Sequence, residues 1–250
     1  MQKPSGRGPF VSALPPAGSE PYGRSDGGSG IDDESSLTLV LVAAGSGTRL
    51  GGENKVWRLV DARPLWWWAA SRFAGLVREG VIVVAEDRVA EAERWVAGLS
   101  YPARVVTGGQ ERWQSSLAGI RASATPFVAV HDAARPLVSA SLIRRTYEAA
   151  QTTGAAIPGL PPSDTVKVVE AGRVVRTLPR EGLRLAQTPQ IFRRDWMLEA
   201  AAGGASAVTD DVSWLEAAGY PVALVEGEIR NRKITTADDW TWLLDEWGAR

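Results

Sequence analysis

From Leu37 onward the sequence alternates between short apolar segments and longer amphipathic segments, and this alternation constrains the fold most strongly. The short segments are typical of buried strands; they are residues 37–43, 81–85, 104–107, 127–131, 155–160 and 222–226. The longer segments have helical character; they are residues 64–78, 88–97, 112–124, 139–153, 194–203, 210–218 and 237–247. Because strands that alternate with helices form βαβ crossovers, the sequence predicts an α/β fold. We expect a Rossmann-like, mainly parallel sheet with helices on both faces.

One stretch interrupts this alternation. Residues 165–170 and 173–178 are β-prone segments separated only by Ala171-Gly172, which is the pattern of a hairpin and not of a helical crossover. We therefore predict a protruding β-hairpin arm at about residues 161–184, within one domain that covers residues 37–250.

The first 36 residues differ in composition from the rest of the chain. More than half of them are Gly, Pro or Ser, and their apolar residues show no period, so we predict a disordered tail. The segment lacks the apolar core of a secretory signal, and its five acidic residues are atypical of a transit peptide. The sequence therefore favours a cytoplasmic protein.

The charge balance and the missing residue types exclude several classes of protein. The chain has 28 Lys and Arg against 29 Asp and Glu, which argues against a nucleic-acid partner and against a basic membrane-binding surface. No segment approaches the ~18–20 apolar residues that span a bilayer. Cysteine is absent and His131 is the single histidine, so disulfide scaffolds, thiol nucleophiles, iron–sulfur clusters and histidine-rich metal sites are excluded.

The first predicted strand leads into a glycine-rich loop that also carries Arg49 and Lys55. Ligands of open α/β sheets bind beyond the carboxyl ends of the strands, and glycines let backbone N–H groups approach a phosphate chain. Leu50 occupies the position of the third glycine of a dinucleotide fingerprint, and the Gly-Lys-Ser/Thr of a Walker loop is missing. The loop alone leaves two interpretations open: a phosphate-binding turn with fixed cations, or a flexible loop with solvated charges.

Two other loops at the same edge carry polar residues. Asp132 follows the strand at 127–131, where a carboxylate can bind a divalent ion or a ribose hydroxyl, or simply cap a turn. His131 beside it is more typical of a hydrogen-bonded structural residue than of a catalyst. Gly108, Gly109 and Ser115 suit close approach of a ligand, and they also suit an ordinary helix N-terminus.

The chain contains eleven tryptophans, three of them consecutive at Trp66-Trp67-Trp68. Successive helical residues point ~100° apart, so these three cannot all face one pocket. We expect some tryptophans to pack in the core and others to meet a partner subunit, and the same holds for Trp240, Trp242 and Trp247.

Seven motifs, taken in order, resemble those of the 2-C-methyl-D-erythritol 4-phosphate cytidylyltransferase family of the non-mevalonate isoprenoid pathway. The first is Ala-Ala-Gly-x-Gly-x-Arg with a following Lys, at residues 43–55, and it is shared by many sugar nucleotidyltransferases. The other six are Gly-Gly-x-x-Arg-x-x-Ser at 108–115, His-Asp-Ala-Ala-Arg-Pro at 131–136, Asp-Thr-x-Lys at 164–167, Gln-Thr-Pro-Gln-x-Phe at 187–192, Thr-Asp-Asp at 209–211 and Asn-x-Lys-x-Thr at 231–235. The full set in this order, over residues 37–247, is highly specific.

The resemblance implies a nucleotidyltransferase fold of the GT-A-like kind, and a homodimer that uses CTP, a sugar-alcohol phosphate and Mg²⁺. The implied nucleotide-binding residues are Ala43, Ala44, Gly45, Gly47, Gly109, Ser115 and Asp132, and Asp132 is also the implied metal ligand. The implied catalytic residues around the triphosphate are Arg49, Lys55 and Lys233. The implied sugar-phosphate residues are Arg135, Thr165, Arg180, Thr188 and Thr209, with Thr165 and Arg180 supplied by the arm of the neighbouring subunit.

The chain departs from the family pattern at a few positions near these residues. Asn54 stands where the family usually has Pro, Val56-Trp57 replaces a common Gln-Tyr, and Gln114 replaces a common Asp. Arg232 replaces an Ile between Asn231 and Lys233. None of these changes removes a charged residue that the resemblance assigns to catalysis.

The implied chemistry agrees with the composition. A phosphomonoester is largely dianionic at neutral pH, since its second pKa is about 6, and it can attack the α-phosphorus of CTP without a general base. Positioning and charge stabilisation by fixed cations and Mg²⁺ then suffice. The alternatives are a ribitol 5-phosphate cytidylyltransferase, which shares most of these motifs, and a non-catalytic nucleotide-binding homologue. A dehydrogenase is disfavoured by Leu50.

Overall fold

The structure is a computed structural model that describes residues 36–45, 54–203 and 210–248. The strands in this part of the chain are β1 (Leu37–Val42), β2 (Leu59–Val60), β3 (Arg63–Pro64), β4 (Glu79–Val84), β5 (Ala103–Thr107), β6 (Phe127–Asp132), β7 (Ala155–Leu160), β8 (Lys167–Glu170), β9 (Arg173–Thr177), β10 (Leu185–Ala186), β11 (Gln190–Arg193) and β12 (Ala223–Glu226). The α-helices are α1 (Leu65–Ser71), α2 (Val89–Val96), α3 (Arg112–Ala122), α4 (Ala140–Thr153), α5 (Arg194–Ala202), α6 (Ser213–Ala217) and α7 (Ala237–Gly248). The predicted tail lies outside the described residues, apart from Ser36.

The central sheet confirms the predicted mainly parallel α/β fold. Its strands pair in the order β10-β7-β11-β6-β1-β4-β5, and β12 pairs in parallel with β7. Strand β1 pairs in parallel with both β4 and β6, whereas the short strands β10 and β11 run antiparallel to their neighbours. The carboxyl ends of β1, β4, β5 and β6 therefore meet at one edge of the sheet, as predicted.

The helices cover both faces of the sheet, also as predicted. Along β1 the side chains alternate: Leu39 and Leu41 pack in one buried cluster with α1, α2 and α4, and Val40 packs in the other with α3, α5 and α6. This period of two is what a strand buried on both faces requires. The two clusters form the hydrophobic core on either side of the sheet.

The tryptophans of α1 pack within the chain. Trp66 is fully buried and makes an edge-to-face contact with Trp57, at 5.8 Å between ring centroids. Trp68 makes a similar contact with Trp247 of the last helix, at 4.9 Å. The prediction that some of these side chains lie in the core is confirmed.

The helix predicted over residues 64–78 is shorter in the structure, because α1 ends at Ser71. Residues 72–78 instead form turns in which Gly75 has a φ of +72°, a conformation that a helix cannot continue through. The turns bury Phe73 and Leu76 and bring the chain to β4, which begins at Glu79 and not at the predicted residue 81.

The predicted hairpin arm is present as β8 and β9, which pair only with each other. Ala171 and Gly172 form its turn with φ values of +46° and +77°, as the tight hairpin turns require. Three valines of the arm are about half or more exposed: Val169 by 55%, Val174 by 62% and Val175 by 49%. Across the described part of the chain, no helix has the length and apolar character needed to cross a membrane.

Candidate active site

An open cavity of about 360 Å³ lies at the carboxyl edge of the sheet, where the loops after β1, β5 and β6 meet. Most of the predicted nucleotide-binding and catalytic residues line it: Ala43, Ala44, Gly45, Lys55, Gly109, Ser115, Asp132 and Lys233. Gly47, Arg49 and Thr209 lie outside the described residues. The structure therefore brings together residues that are up to 190 positions apart in the chain.

Asp132 at the end of β6 is the centre of a charged cluster. Its carboxylate lies 2.9 Å from Lys233 Nζ, 3.3 Å from Arg112 Nη2 and 3.5 Å from Arg135 Nε. Burial raises the pKa of this carboxyl, but the three cations outweigh that effect and hold its pKa well below the usual range. Asp132 is therefore a fixed negative charge at neutral pH.

Arg112 joins Asp132 to a second buried acid that the sequence interpretation did not assign. Its Nη2 lies 2.8 Å from Asp211 Oδ2, and the Asp211 side chain is 1% exposed. Burial raises the pKa of Asp211, whereas the Arg112 guanidinium acts to lower it. Both residues belong to motifs that were recognised, but only the fold shows that one guanidinium bridges two carboxylates.

The structure supports the prediction that His131 is a structural residue. His131 is fully buried, and its Nε2 lies 3.1 Å from the carbonyl oxygen of Arg135, which can only accept, so Nε2 carries the proton. Nδ1 then accepts from Thr188 Oγ1 at 3.0 Å, and the same hydroxyl accepts from the Asp132 N–H at 3.1 Å. Burial lowers the pKa of His131 to about 4, which keeps the imidazole neutral. This chain of bonds fixes the backbone of Asp132.

Arg135 and Thr188 are buried behind Asp132 and are absent from the described cavity lining. Arg135 Nη1 donates to the carbonyl oxygen of Asn231 at 2.7 Å, and Asn231 Nδ2 donates to the carbonyl oxygen of Thr188 at 2.8 Å. Gln187 reaches the same region, where its Nε2 donates to the Glu228 carbonyl at 2.9 Å. These hydrogen bonds connect the segment that carries Lys233 to the end of β6 and stabilise its position.

The loop after β5 approaches the first loop too closely for a side chain. A Cβ at Gly108 would lie 2.6 Å from both Ala44 Cβ and Ser115 Oγ, so glycine is required there. The N–H of Gly109 donates to Ser115 Oγ at 3.1 Å. Gln114, one of the departures from the family pattern, completes a capping box at the start of α3, since its Oε1 accepts from the Glu111 N–H at 3.0 Å.

Two predicted substrate residues lie on or near the exposed arm. Thr165 and Arg180 are both exposed, and neither is among the described residues that line the cavity. Arg180 Nη1 donates to the carbonyl oxygen of Ser163 at 2.7 Å. Asp210 of the Thr-Asp-Asp motif makes a local bond as well, because its Oδ1 accepts from the N–H of Ser213, the first residue of α6, at 3.2 Å.

The residues present fit a magnesium ion that is held mainly by phosphate oxygens. Asp132 offers one ionised carboxylate to the cavity, and Mg²⁺ is usually bound by one or two carboxylates together with substrate phosphates and water. Within residues 36–45, 54–203 and 210–248, no group of three or more His, Asp or Glu side chains could hold a metal by itself.

A mainly parallel α/β sheet with glycines and cations around a cavity at its carboxyl edge is typical of nucleotide-binding α/β proteins, and nucleotidyltransferases are one class of them. The family model described as "IspD: 2-C-methyl-D-erythritol 4-phosphate cytidylyltransferase" matches residues 37–243. The chain belongs to this family, and the resemblance stated from its motifs is confirmed.

Individual relatives agree with this assignment. The 2-C-methyl-D-erythritol 4-phosphate cytidylyltransferase of Salinibacter ruber is 38% identical over 220 residues, which is 84% of this chain and 92% of that protein. The crystal structure of the Thermus thermophilus protein with the same description is 36% identical, with a TM-score of 0.68 over 84% of this chain and 98% of that one. The "Bifunctional enzyme IspD/IspF" of Anaeromyxobacter dehalogenans is 46% identical over 80% of this chain. The chain covers 54% of that relative, about half of its length.

Proposed function

We propose that this chain joins CTP and 2-C-methyl-D-erythritol 4-phosphate to give 4-diphosphocytidyl-2-C-methyl-D-erythritol and pyrophosphate, in isoprenoid precursor biosynthesis. The observation that carries the proposal is the cluster of Lys233, Arg112 and Arg135 around ionised Asp132, beside a cavity walled by Gly45 and Gly109. Fixed cations beside a glycine-lined wall suit a triphosphate.

The reaction needs no side chain as a general base. The substrate phosphate is largely dianionic at neutral pH, and its oxygen attacks the α-phosphorus of CTP while pyrophosphate leaves in line. His131 could not serve as a base for the substrate, because both of its ring nitrogens are engaged inside the protein. Catalysis then rests on orientation and on stabilisation of the developing charge.

The proposed roles are those that the family resemblance implies, and the positions of the residues that line the cavity support part of them. Gly45, Gly109 and Ser115, with the loop that contains Gly47, would hold the nucleotide, and Asp132 would hold the ribose and Mg²⁺. Mg²⁺, when bound, would neutralise charge on the phosphates. Arg49, Lys55 and Lys233 would surround the triphosphate. The sugar phosphate would be held by Arg135, Thr188 and Thr209, together with Thr165 and Arg180.

The exposed arm supports a homodimer in which Thr165 and Arg180 reach the partner's site. An isolated two-stranded hairpin is marginally stable, and the exposed valines of β8 and β9 supply a surface that packing against a second copy would bury. We further propose a cytoplasmic enzyme without nucleic-acid or membrane partners, on the grounds of its charge balance and its apolar pattern.

The decisive experiment measures pyrophosphate release from CTP with Mg²⁺, using 2-C-methyl-D-erythritol 4-phosphate and ribitol 5-phosphate in parallel. We expect release with the first acceptor and at least a hundredfold lower kcat/KM with the second, since a hydrogen-bonding site rejects an acceptor of the wrong shape. The reverse ranking would identify the ribitol enzyme. No release with either acceptor would favour a non-catalytic nucleotide-binding homologue.

A further inference from the structure

Asn54 connects two separate segments of the cavity wall. Its Nδ2 donates to the carbonyl oxygen of Gly45, at 2.6 Å, in the loop after β1. Its Oδ1 accepts from the N–H of Val56, at 3.3 Å, in the 3-10 turn Lys55–Trp57. The cavity is lined by Asn54, Gly45 and Lys55. The carboxamide of Asn54 therefore links the glycine-rich loop to the turn that contains Lys55.

The turn that Asn54 caps is fixed on its other side by the core. Val56 and Trp57 are buried, at 7% and 8% exposure. The Asn54 carbonyl accepts from the Trp57 N–H at 2.9 Å, and the Lys55 carbonyl accepts from the Arg58 N–H at 3.3 Å. The packing of Val56 and Trp57 therefore fixes the backbone of Lys55 on the side of the core. Asn54 fixes the position of Lys55 relative to Gly45.

We propose that Asn54 is a positioning residue that fixes Lys55 against the glycine-rich loop, so that the ammonium group is in place when charge develops on the triphosphate. This inference rests on the proposed function, because it assumes that Lys55 acts on the nucleotide. Charge stabilisation depends on groups that are already oriented, and a tether between the two segments supplies that orientation. Only a side chain that donates and accepts at once can make both contacts.

The family residue at this position would act differently. Asn54 has a φ of −68°, which lies in the range that a proline ring imposes. Proline could therefore fix the same backbone angle, but it has no side-chain donor for Gly45 and no acceptor for Val56. This chain replaces a ring constraint with two hydrogen bonds, one of which reaches the nucleotide loop.

The test is a double-mutant cycle between Asn54→Ala and Lys55→Ala, with pyrophosphate release as the readout. In the wild-type background we expect Asn54→Ala to lower kcat about tenfold, the size of one or two lost hydrogen bonds, with KM for CTP changed less than threefold. In the Lys55→Ala background, Asn54→Ala should lower kcat less than twofold, because the ammonium group that Asn54 positions is already absent. Unchanged kcat in Asn54→Ala, or equal losses in both backgrounds, would overturn the proposal.

Asn54→Ser separates the two contacts, since serine can cap a turn but is too short to reach Gly45 as the amide does. We expect it to lose as much kcat as Asn54→Ala, and wild-type kcat in this variant would exclude the tie to Gly45. Hydrogen exchange of the peptide at 54–58 gives a readout that does not need turnover. Asn54→Ala should speed exchange there about tenfold and nowhere else, even if the wild-type protein proved inactive with CTP. Unchanged exchange would also refute the tether.

Discussion

At the scale of single residues, the buried histidine makes the stability of the protein depend on pH. His131 is the one histidine of the chain, so any histidine titration belongs to it. Burial lowers its pKa to about 4, whereas a histidine in an unfolded chain has a pKa of about 6.5. Unfolding therefore takes up a proton between these values, and the free energy of unfolding falls as the pH is lowered through this window.

We predict that His131→Gln makes the free energy of unfolding depend less on pH. The wild-type protein should lose about 2–3 kcal/mol of unfolding free energy to this one group between pH 6.5 and pH 4. Gln can still donate to the Arg135 carbonyl but cannot be protonated, so that loss should disappear, although its lost contact with Phe73 lowers stability at every pH. Urea titrations at pH 7 and pH 4.5 measure both effects. Equal pH dependence in the two proteins would contradict the assignment.

A second residue-scale prediction concerns the lysine at the cavity. Lys55→Ala should lower kcat about 10²–10³-fold, the size typical of losing one preorganised group that stabilises the transition state. The melting temperature should change little, since Lys55 is only partly buried and lies at the open cavity. Steady-state kinetics with CTP in excess measure this, and near-normal kcat would remove Lys55 from the mechanism.

At the scale of elements, the start of α7 positions the segment that carries Lys233. Asp239 Oδ2 accepts from the Thr235 N–H at 2.8 Å, from Thr235 Oγ1 at 2.6 Å and from the Thr236 N–H at 2.8 Å. Thr236 Oγ1 in turn accepts from the Asp239 N–H at 3.2 Å, which completes a capping box. Burial raises the pKa of Asp239, but these hydrogen bonds lower it further than burial raises it.

We predict that Asp239→Ala lowers the free energy of unfolding by about 2 kcal/mol, because it removes a cap and leaves several N–H and O–H donors unpaired. It should also lower kcat, since Lys233 lies only two residues before Thr235. Asp238→Ala is the matched control: Asp238 is the adjacent exposed acid, and we expect a change within ~0.5 kcal/mol. Denaturation midpoints compare the two, and equal effects would show that the capping box is not what stabilises α7.

Elements with strong local patterns were predictable, and elements that depend on distant partners were not. The apolar run of β1 and the hairpin turn at Ala171-Gly172 are local signals, and both are confirmed. Strands β10 and β11 were missed because they have only two and four residues, too few to show a clear pattern; they form by pairing with β7 and β6. The early end of α1 was missed because turns that bury Phe73 depend on the tertiary core.

In the candidate active site, too, some features could be predicted from the sequence and others depend on distant partners. The residues that line the cavity follow predicted strands, so their meeting at one edge could be inferred from topology. Topology does not predict the two ion pairs of Arg112 or the two hydrogen bonds of Asn54. These contacts depend on side-chain directions that only the packed structure sets.

At the scale of the whole molecule, we predict that active sites are shared between subunits. Lys55→Ala disables the nucleotide side and Arg180→Ala disables the arm, so each homodimer should be nearly inactive. In a heterodimer one site takes Lys55 and Arg180 from different chains and is intact. Half the dimers of an even mixture are heterodimers, so about a quarter of the wild-type activity should return after the two variants are refolded together.

A matched control uses two changes on the same side of the site. Lys55→Ala mixed with Lys233→Ala leaves every pocket lacking one cation, so no activity should return. Recovery in the first mixture but not in the second would establish the exchange of arms. Heterodimers as inactive as their parents would show that Arg180 acts within its own chain or has no role.

Asp132 binds cations from segments far apart in the chain: Arg112 begins α3, Arg135 follows β6, and Lys233 precedes α7. Losing one partner of a buried ion pair typically costs about 3–5 kcal/mol, a large part of the stability of a domain. A substitution at Asp132 would therefore reduce the amount of folded protein in the cell as well as its turnover. Natural selection acts on this residue through abundance too, and a descendant that had lost the reaction would still be under pressure to keep an acid there.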